Sequence, residues 1–199
     1  VLAIDYRGFG QSLGDLPSER SVYADARISW ERLKTLQPDA GKRFIYGHSL
    51  GGAVAVDLAA ELGQQAERDS VPAEARALII ESTFTSLADV ATAVSDTSLP
   101  VRWLLSQKFD SLEKIDQIGM PLLVVHGTDD RYVPPRFSEQ LYEAARQPKQ
   151  LLLVEGATHN NSLRVALGAY GRALQALLES GEQRLGATQP PPAKAAERG

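Results

Sequence analysis

A serine flanked by glycines, Gly47-His48-Ser49-Leu50-Gly51-Gly52, stands between a short apolar run, Phe44-Ile45-Tyr46, and a stretch rich in alanine, valine and leucine over 50–63. A strand entering such a turn and a helix leaving it lift the serine hydroxyl above the end of a sheet. The helix aims its first amides at the site, so the Leu50 N–H is the candidate donor to an oxyanion. Side chains at positions 47 and 51 are expected to collide with the neighbouring strand and helix, which accounts for the glycines. The chemistry of such an arrangement is nucleophilic attack on an acyl carbon, with Ser49 as candidate nucleophile. A bare G-x-S-x-G recurs by chance; the strand before it, the helix after it and Gly52 distinguish this one from any glycine-rich turn.

A serine hydroxyl needs a general base. The chain has three histidines, so elimination is possible. His48 adjoins Ser49 and is expected to point away from the hydroxyl. His126 ends an apolar run ahead of Gly127 and reads as support for the loop that follows. His159, in Gly156-Ala157-Thr158-His159-Asn160, follows the last apolar run, at the sheet edge where sites of open parallel sheets form; it is the candidate base. The acid that orients it is expected between serine and histidine in chain order. His126-Gly127-Thr128-Asp129-Asp130 offers two aspartates between which spacing does not choose, and Glu81 is a weaker candidate.

Strand-like runs at 1–5, 44–46, 78–80, 122–125 and 151–154 alternate with helical spacing. One helix is expected after Ser21 as N-cap, through Val22, Ala26, Trp30 and Leu33. Others are expected over 50–63, 137–146 and 161–180. The runs are continuously apolar and alternate with helices, which predicts an α/β fold: a mostly parallel sheet covered by helices on both faces. Residues 83–118 carry broken helical signals and are expected to form a short cap. From Gly181 the chain is polar with a Pro-Pro-Pro run, so 181–199 is expected to be a disordered tail after a domain over 1–180. With 199 residues, 43% hydrophobic and 23% charged, the chain is long enough for one domain with a substantial core. A net charge of −4, from 21 basic and 25 acidic residues, carries no basic surplus and argues against a nucleic-acid partner. The lack of cysteine removes disulfides and thiolate chemistry. No apolar run approaches the roughly 18–20 residues that cross a bilayer.

The segments Asp5-Tyr6-Arg7-Gly8-Phe9-Gly10-Gln11-Ser12, Gly47-His48-Ser49-Leu50-Gly51-Gly52, Glu81-Ser82-Thr83-Phe84-Thr85-Ser86-Leu87, His126-Gly127-Thr128-Asp129-Asp130 with Val133-Pro134, and Gly156-Ala157-Thr158-His159-Asn160 together resemble the α/β-hydrolase superfamily. Within it they are most similar to the serine aminopeptidase-like and dienelactone hydrolase-like abhydrolases. The resemblance runs from residue 1 to about 178. It implies that the acid is Asp130, the fifth position of His-Gly-x-x-Asp-x-x-Val-Pro, and that Asp5 and Arg7 are structural. It also implies three further strands before Val1, the third lying between 1–5 and 43–47 and followed by a loop with a second oxyanion donor. The α/β-hydrolase fold is therefore expected here without its first three strands. Val1–Asp5 is then expected to lack its proper partner, and the chain to fold or act poorly.

The implied reaction is two-step acyl transfer on an ester or thioester, without metal or cofactor, with Ser49, His159 and Asp130 as catalytic residues. An aminopeptidase is the alternative activity, and a non-catalytic binding module is the alternative from another class. Phe84, Trp103 and Leu104, with Leu99 and Phe109, are candidate lining for an acyl pocket; plain packing against the sheet is the competing reading. The expected partner is a small acyl substrate, and the expected location for the chain as given is the cytoplasm.

Overall fold

Four of the five apolar runs become strands in the computed structural model, which describes residues 1–14, 17–94 and 107–187. They are β1 (Phe44–His48), β2 (Ala77–Glu81), β3 (Leu122–Gly127) and β4 (Lys149–Val154), paired in parallel in the order β1-β2-β3-β4. Each crossover passes through helix or loop. The helices are α1 (Glu19–Leu36), α2 (Leu50–Asp69), α3 (Leu87–Val94), α4 (Arg136–Ala144), α5 (Ser162–Val165) and α6 (Leu167–Ala187).

Side-chain alternation along β2 and β3 assigns the two faces. Leu78, Ile80, Leu122 and Val124 point one way, into a core with Ala55, Val56, Ala59 and Leu62 of α2, Trp30 of α1 and Leu141 of α4. Ala77, Ile79, Leu123 and Val125 point the other way, onto Tyr170 and Leu177 of α6. Both faces of the central strands are buried, which is why their sequences are apolar throughout. A third cluster, with Val22, Tyr23, Val54, Phe84, Phe109 and Phe137, closes the top of the α1–α2 layer.

Helix α1 starts at a capping box. The Ser18 hydroxyl accepts from the Ser21 N–H at 3.2 Å, and the Ser21 hydroxyl accepts from the Ser18 N–H at 2.8 Å. Ser21, expected as the cap, is therefore the third helical residue: both positions carry a serine, and the reciprocal bonds select the earlier one. Helix α6 runs on to Ala187, past the expected end near 180; the rest of the expected tail, 188–199, lies outside the described residues.

Val1–Asp5 is not a strand. It joins no sheet ladder among the described residues, and Val1, Leu2 and Ile4 are exposed. A cleft of about 150 Å³ separates Leu2, Ile4 and Tyr6 from Phe44, Ile45 and Tyr46 of β1. A strand is stabilised by its ladder, and β1 pairs only with β2 among the described residues. The segment is held instead by its turn: Arg7 pairs with Asp25 of α1 at 2.5 Å, and the Asp5 carboxylate accepts from the Gln11 N–H. Among the described residues, no helix is long and apolar enough to cross a membrane.

Candidate active site

The parallel register brings all four strand ends to one edge, with His48 opposite Glu81 and Gly127 opposite Val154. Ser49 follows β1 with φ 53° and ψ −121°, a conformation that a non-glycine residue adopts only under constraint. The constraint is visible on both sides of the serine. Its N–H donates to the Glu81 carbonyl at 2.9 Å, and its carbonyl accepts from the Thr83 hydroxyl at 2.8 Å. Leu50 opens α2, so its N–H is among the amides without an intrahelical acceptor.

The glycines around Ser49 divide into two kinds. A Cβ on Gly47 would sit 2.2 Å from the Gly51 carbonyl oxygen and 2.7 Å from the Ala55 Cβ, and one on Gly52 would sit 2.5 Å from Thr83. A Cβ on Gly51 would meet nothing within 4 Å. The expected collision therefore holds at 47 and fails at 51, because Gly51 faces the cleft between Tyr6 and β1. Gly52 takes the role that position 51 was expected to share.

His159 lies in the loop after β4, its side chain 13% exposed. Its Nδ1–H donates to Asp130 Oδ2 at 2.6 Å, so of the two aspartates Asp130 is the one joined to the ring. The Asp130 side chain is fully buried. Its carboxylate also accepts from the Tyr132 N–H at 2.9 Å and the Val133 N–H at 3.0 Å, and it lies 3.2 Å from His126 Nε2. Burial alone would raise its pKa. The hydrogen bonds from His126, Val133, His159 and Tyr132 outweigh burial and hold the group well below the ordinary carboxylate range. Asp129 is exposed, and its N–H caps the loop by donating to the Ala157 carbonyl at 2.8 Å.

With Nδ1 protonated toward Asp130, His159 Nε2 carries the lone pair that can accept a proton. No hydrogen bond joins the Ser49 hydroxyl to the ring among the described residues; such bonds often tighten only when substrate is present. His126 is wholly buried: its Nε2–H donates to the Val133 carbonyl at 2.9 Å, and its Nδ1 accepts from the Ser138 hydroxyl at 2.6 Å. It braces the loop that carries Asp130. The Glu81 carboxylate accepts from Tyr46 and Tyr170, each at 3.0 Å, and is not bonded to His159. Phe84 is 4% exposed and Phe109 6%, both packed inside the third core cluster among the described residues. Leu99, Trp103 and Leu104 lie outside the described residues.

Sequence reasoning missed Thr83 and Ser138. Both act through contacts distant in sequence, and neither has a local signature. The signal for Thr83 was Gly52, whose missing Cβ admits that threonine.

An open parallel sheet wound on both faces, with a strained serine at a strand–helix turn and a histidine–aspartate pair on neighbouring loops, defines an α/β-hydrolase architecture. The model for the family described as serine aminopeptidase, S33, matches residues 1–113 and 101–162, and the chain belongs to that family. An uncharacterized protein of Mycobacterium tuberculosis is 41% identical over 162 residues, which are 81% of this chain and 53% of that protein. Human alpha/beta hydrolase domain-containing protein 17B is 32% identical over 188 residues, 93% of this chain and 57% of that one. The chain thus spans a little over half the length of these relatives. Among solved structures, Est1E of Butyrivibrio proteoclasticus, bound to ferulic acid, superposes with a TM-score of 0.65 at 21% identity, covering 88% of this chain and 75% of that one.

Proposed function

We propose that this protein is a serine hydrolase that cleaves a carboxylic ester or thioester by two-step acyl transfer. Ser49 Oγ attacks the carbonyl carbon while its proton passes to His159 Nε2. The oxyanion is met by the Leu50 N–H. The imidazolium returns its proton to the leaving alcohol or thiol as the carbonyl re-forms, leaving an acyl-Ser49 ester. Water, deprotonated by the same ring, then releases the acid and restores the serine. Asp130 holds the tautomer and stabilises the imidazolium. The observation that carries the reading is the 2.6 Å bond from His159 Nδ1 to a buried, ionised Asp130, on the loop beside the strained Ser49.

The family description favours a second reading, hydrolysis of an amino-terminal peptide bond by the same residues. No negatively charged cluster beside Ser49 marks a site for a peptide ammonium among the described residues, so esters and thioesters stand first. The test is labelling by a fluorophosphonate probe of the wild-type chain and Ser49→Ala, followed by panels of p-nitrophenyl esters and aminoacyl p-nitroanilides. Ser49-dependent labelling with ester turnover supports the proposal. Turnover of anilides alone supports the peptidase. A folded chain that does not label sinks both and leaves a binding module built on a hydrolase fold.

A further inference from the structure

His48 takes no part in the chemistry proposed for Ser49 and His159, yet it is the side chain that connects them. It is the last residue of β1, half-buried, one peptide bond before the nucleophile. Its Nε2 lies 2.8 Å from the backbone carbonyl oxygen of His159. A carbonyl can only accept, so His48 carries its proton on Nε2 and donates. The two imidazoles meet edge to face, with centroids 4.9 Å apart and planes at 64°, and Tyr132 lies against the His159 ring at 5.6 Å.

This bond matters because of what else holds the His159 loop. Gly156 has φ 69° and open space around it, and the Thr158 N–H is satisfied locally by the Asn161 side chain at 2.7 Å. The other ties run from Gly156 to the Thr128 hydroxyl, from Asp129 to the Ala157 carbonyl and from Ala157 to the Val154 carbonyl, with Ala157 itself buried against β2 and β3. Asp130 belongs to the loop after β3, with Thr128 and Asp129. These bonds join the two loops to each other and to the ends of β3 and β4, and none of them reaches β1. The bond from His48 spans two intervening strands and fixes the pair of loops against the elbow. Ser49 is in turn fixed to β2 through Glu81 and Thr83.

We infer that His48 is a positioning residue: its Nε2–H holds the His159 backbone in place and so sets the distance between the nucleophile and its base. The inference rests on the acyl-transfer reading of Ser49 and His159. It concerns geometry and not substrate binding, so its loss is expected in kcat with KM little changed. Misplacement of reacting groups by about 1 Å costs on the order of 100-fold.

The experiment separates the donor from the ring. Glutamine places an N–H donor the same number of bonds from Cβ as Nε2, without the ring; phenylalanine keeps the ring without the donor. Fluorophosphonate labelling rates, kcat and KM on a p-nitrophenyl ester, and amide hydrogen exchange across 155–161 are measured for wild type, His48→Ala, His48→Gln and His48→Phe. Labelling and kcat are expected to fall roughly 10–100-fold in His48→Ala and His48→Phe. In both, exchange in 155–161 is expected to rise while the strands stay protected. His48→Gln is expected to recover to within a few-fold of wild type. Wild-type behaviour of His48→Phe, or a His48→Gln as impaired as His48→Ala, overturns the assignment while the triad stands. Unchanged exchange in 155–161 overturns it as well. A wild-type chain that does not label overturns the catalytic reading and the assignment with it.

Discussion

Two glycines in the same motif should respond oppositely to the same substitution. In Gly47→Ala the new methyl would lie 2.2 Å from the Gly51 carbonyl oxygen, whereas ordinary contact begins at 3.4 Å. About 1.2 Å must open between β1 and the first turn of α2. Neither side yields easily: one wall is backbone, and the other is Ala55, in the main core. Overpacking a close-packed interior costs about 1–3 kcal/mol, and with backbone as the obstacle the upper end applies. In Gly51→Ala the methyl meets nothing within 4 Å, and alanine improves on glycine in a helix by about 0.5–1 kcal/mol. The two variants should therefore differ by roughly 3–4 kcal/mol. At about 2–4 °C per kcal/mol for a domain of this size, Gly47→Ala should melt some 6–12 °C below wild type and Gly51→Ala up to about 4 °C above it. Urea unfolding followed by far-UV circular dichroism gives the free energies directly. Ser49 labelling should survive in Gly51→Ala and collapse in Gly47→Ala. A Gly51→Ala variant destabilised by more than about 1 kcal/mol would refute the reasoning, since it would mean the space beside Gly51 is filled in solution.

Further substitutions probe the groups around the serine. Asp130→Asn should lower kcat by about 10³–10⁴-fold, because an amide no longer selects the His159 tautomer or stabilises its cation; the ester assay checks it, and a loss under tenfold would contradict the assigned role. The depressed pKa of Asp130 has a stability consequence of fixed sign. The unfolded chain takes up its proton near pH 3.9 and the folded chain only well below that, so the carboxylate stabilises the fold above about pH 4. That contribution is lost as pH falls through the folded value, and the acid-side slope of urea midpoints should be shallower in Asp130→Asn. Thr83→Val should cost about 0.5–1.5 kcal/mol by removing one of the two donors to the Ser49 carbonyl, the other being the Gly52 N–H at 2.9 Å, and Thr83→Ser should recover most of it in the same unfolding assay. Tyr170→Phe removes one of two hydroxyl donors to the buried Glu81 carboxylate and should cost about 1.5–3 kcal/mol; a neutral result would mean that water or Tyr46 alone satisfies the group.

What could be read from the sequence was whatever depends on local spacing. The continuous apolar runs at 78–80 and 122–125 announce strands buried on both faces, and they are. The strand–glycine–serine–glycine–helix order announces the elbow. Elimination among three histidines leaves His159 as the candidate base, since one of the others sits at a strand end beside the serine and one before the aspartate loop. What stayed hidden depends on which distant surfaces meet. Gly51 and Gly52 are equivalent in sequence, yet one faces a cleft and the other a threonine thirty-odd residues away. Val1–Asp5 has the composition of a strand, but composition cannot supply a ladder partner. Phe84 carries the character of a pocket residue and of a core residue alike, and its burial among Tyr23, Val54 and Phe137 follows from how α1 and α2 close over the sheet.

The same logic explains why the residues around the candidate site are so unequally held. Ser49 is fixed by backbone geometry, by a strand-end carbonyl and by a buried hydroxyl, so its position is set when β1, β2 and α2 assemble. Asp130 is fixed by two amides and a buried histidine that is itself clamped by Ser138 and Val133. His159 has neither kind of support. It sits on a glycine-led loop beyond the last strand, bonded through its ring to Asp130 and through its carbonyl to His48, with the His48 and Tyr132 rings against its imidazole. On the acyl-transfer reading, these two hydrogen bonds are what place the base against a nucleophile that the sheet already holds.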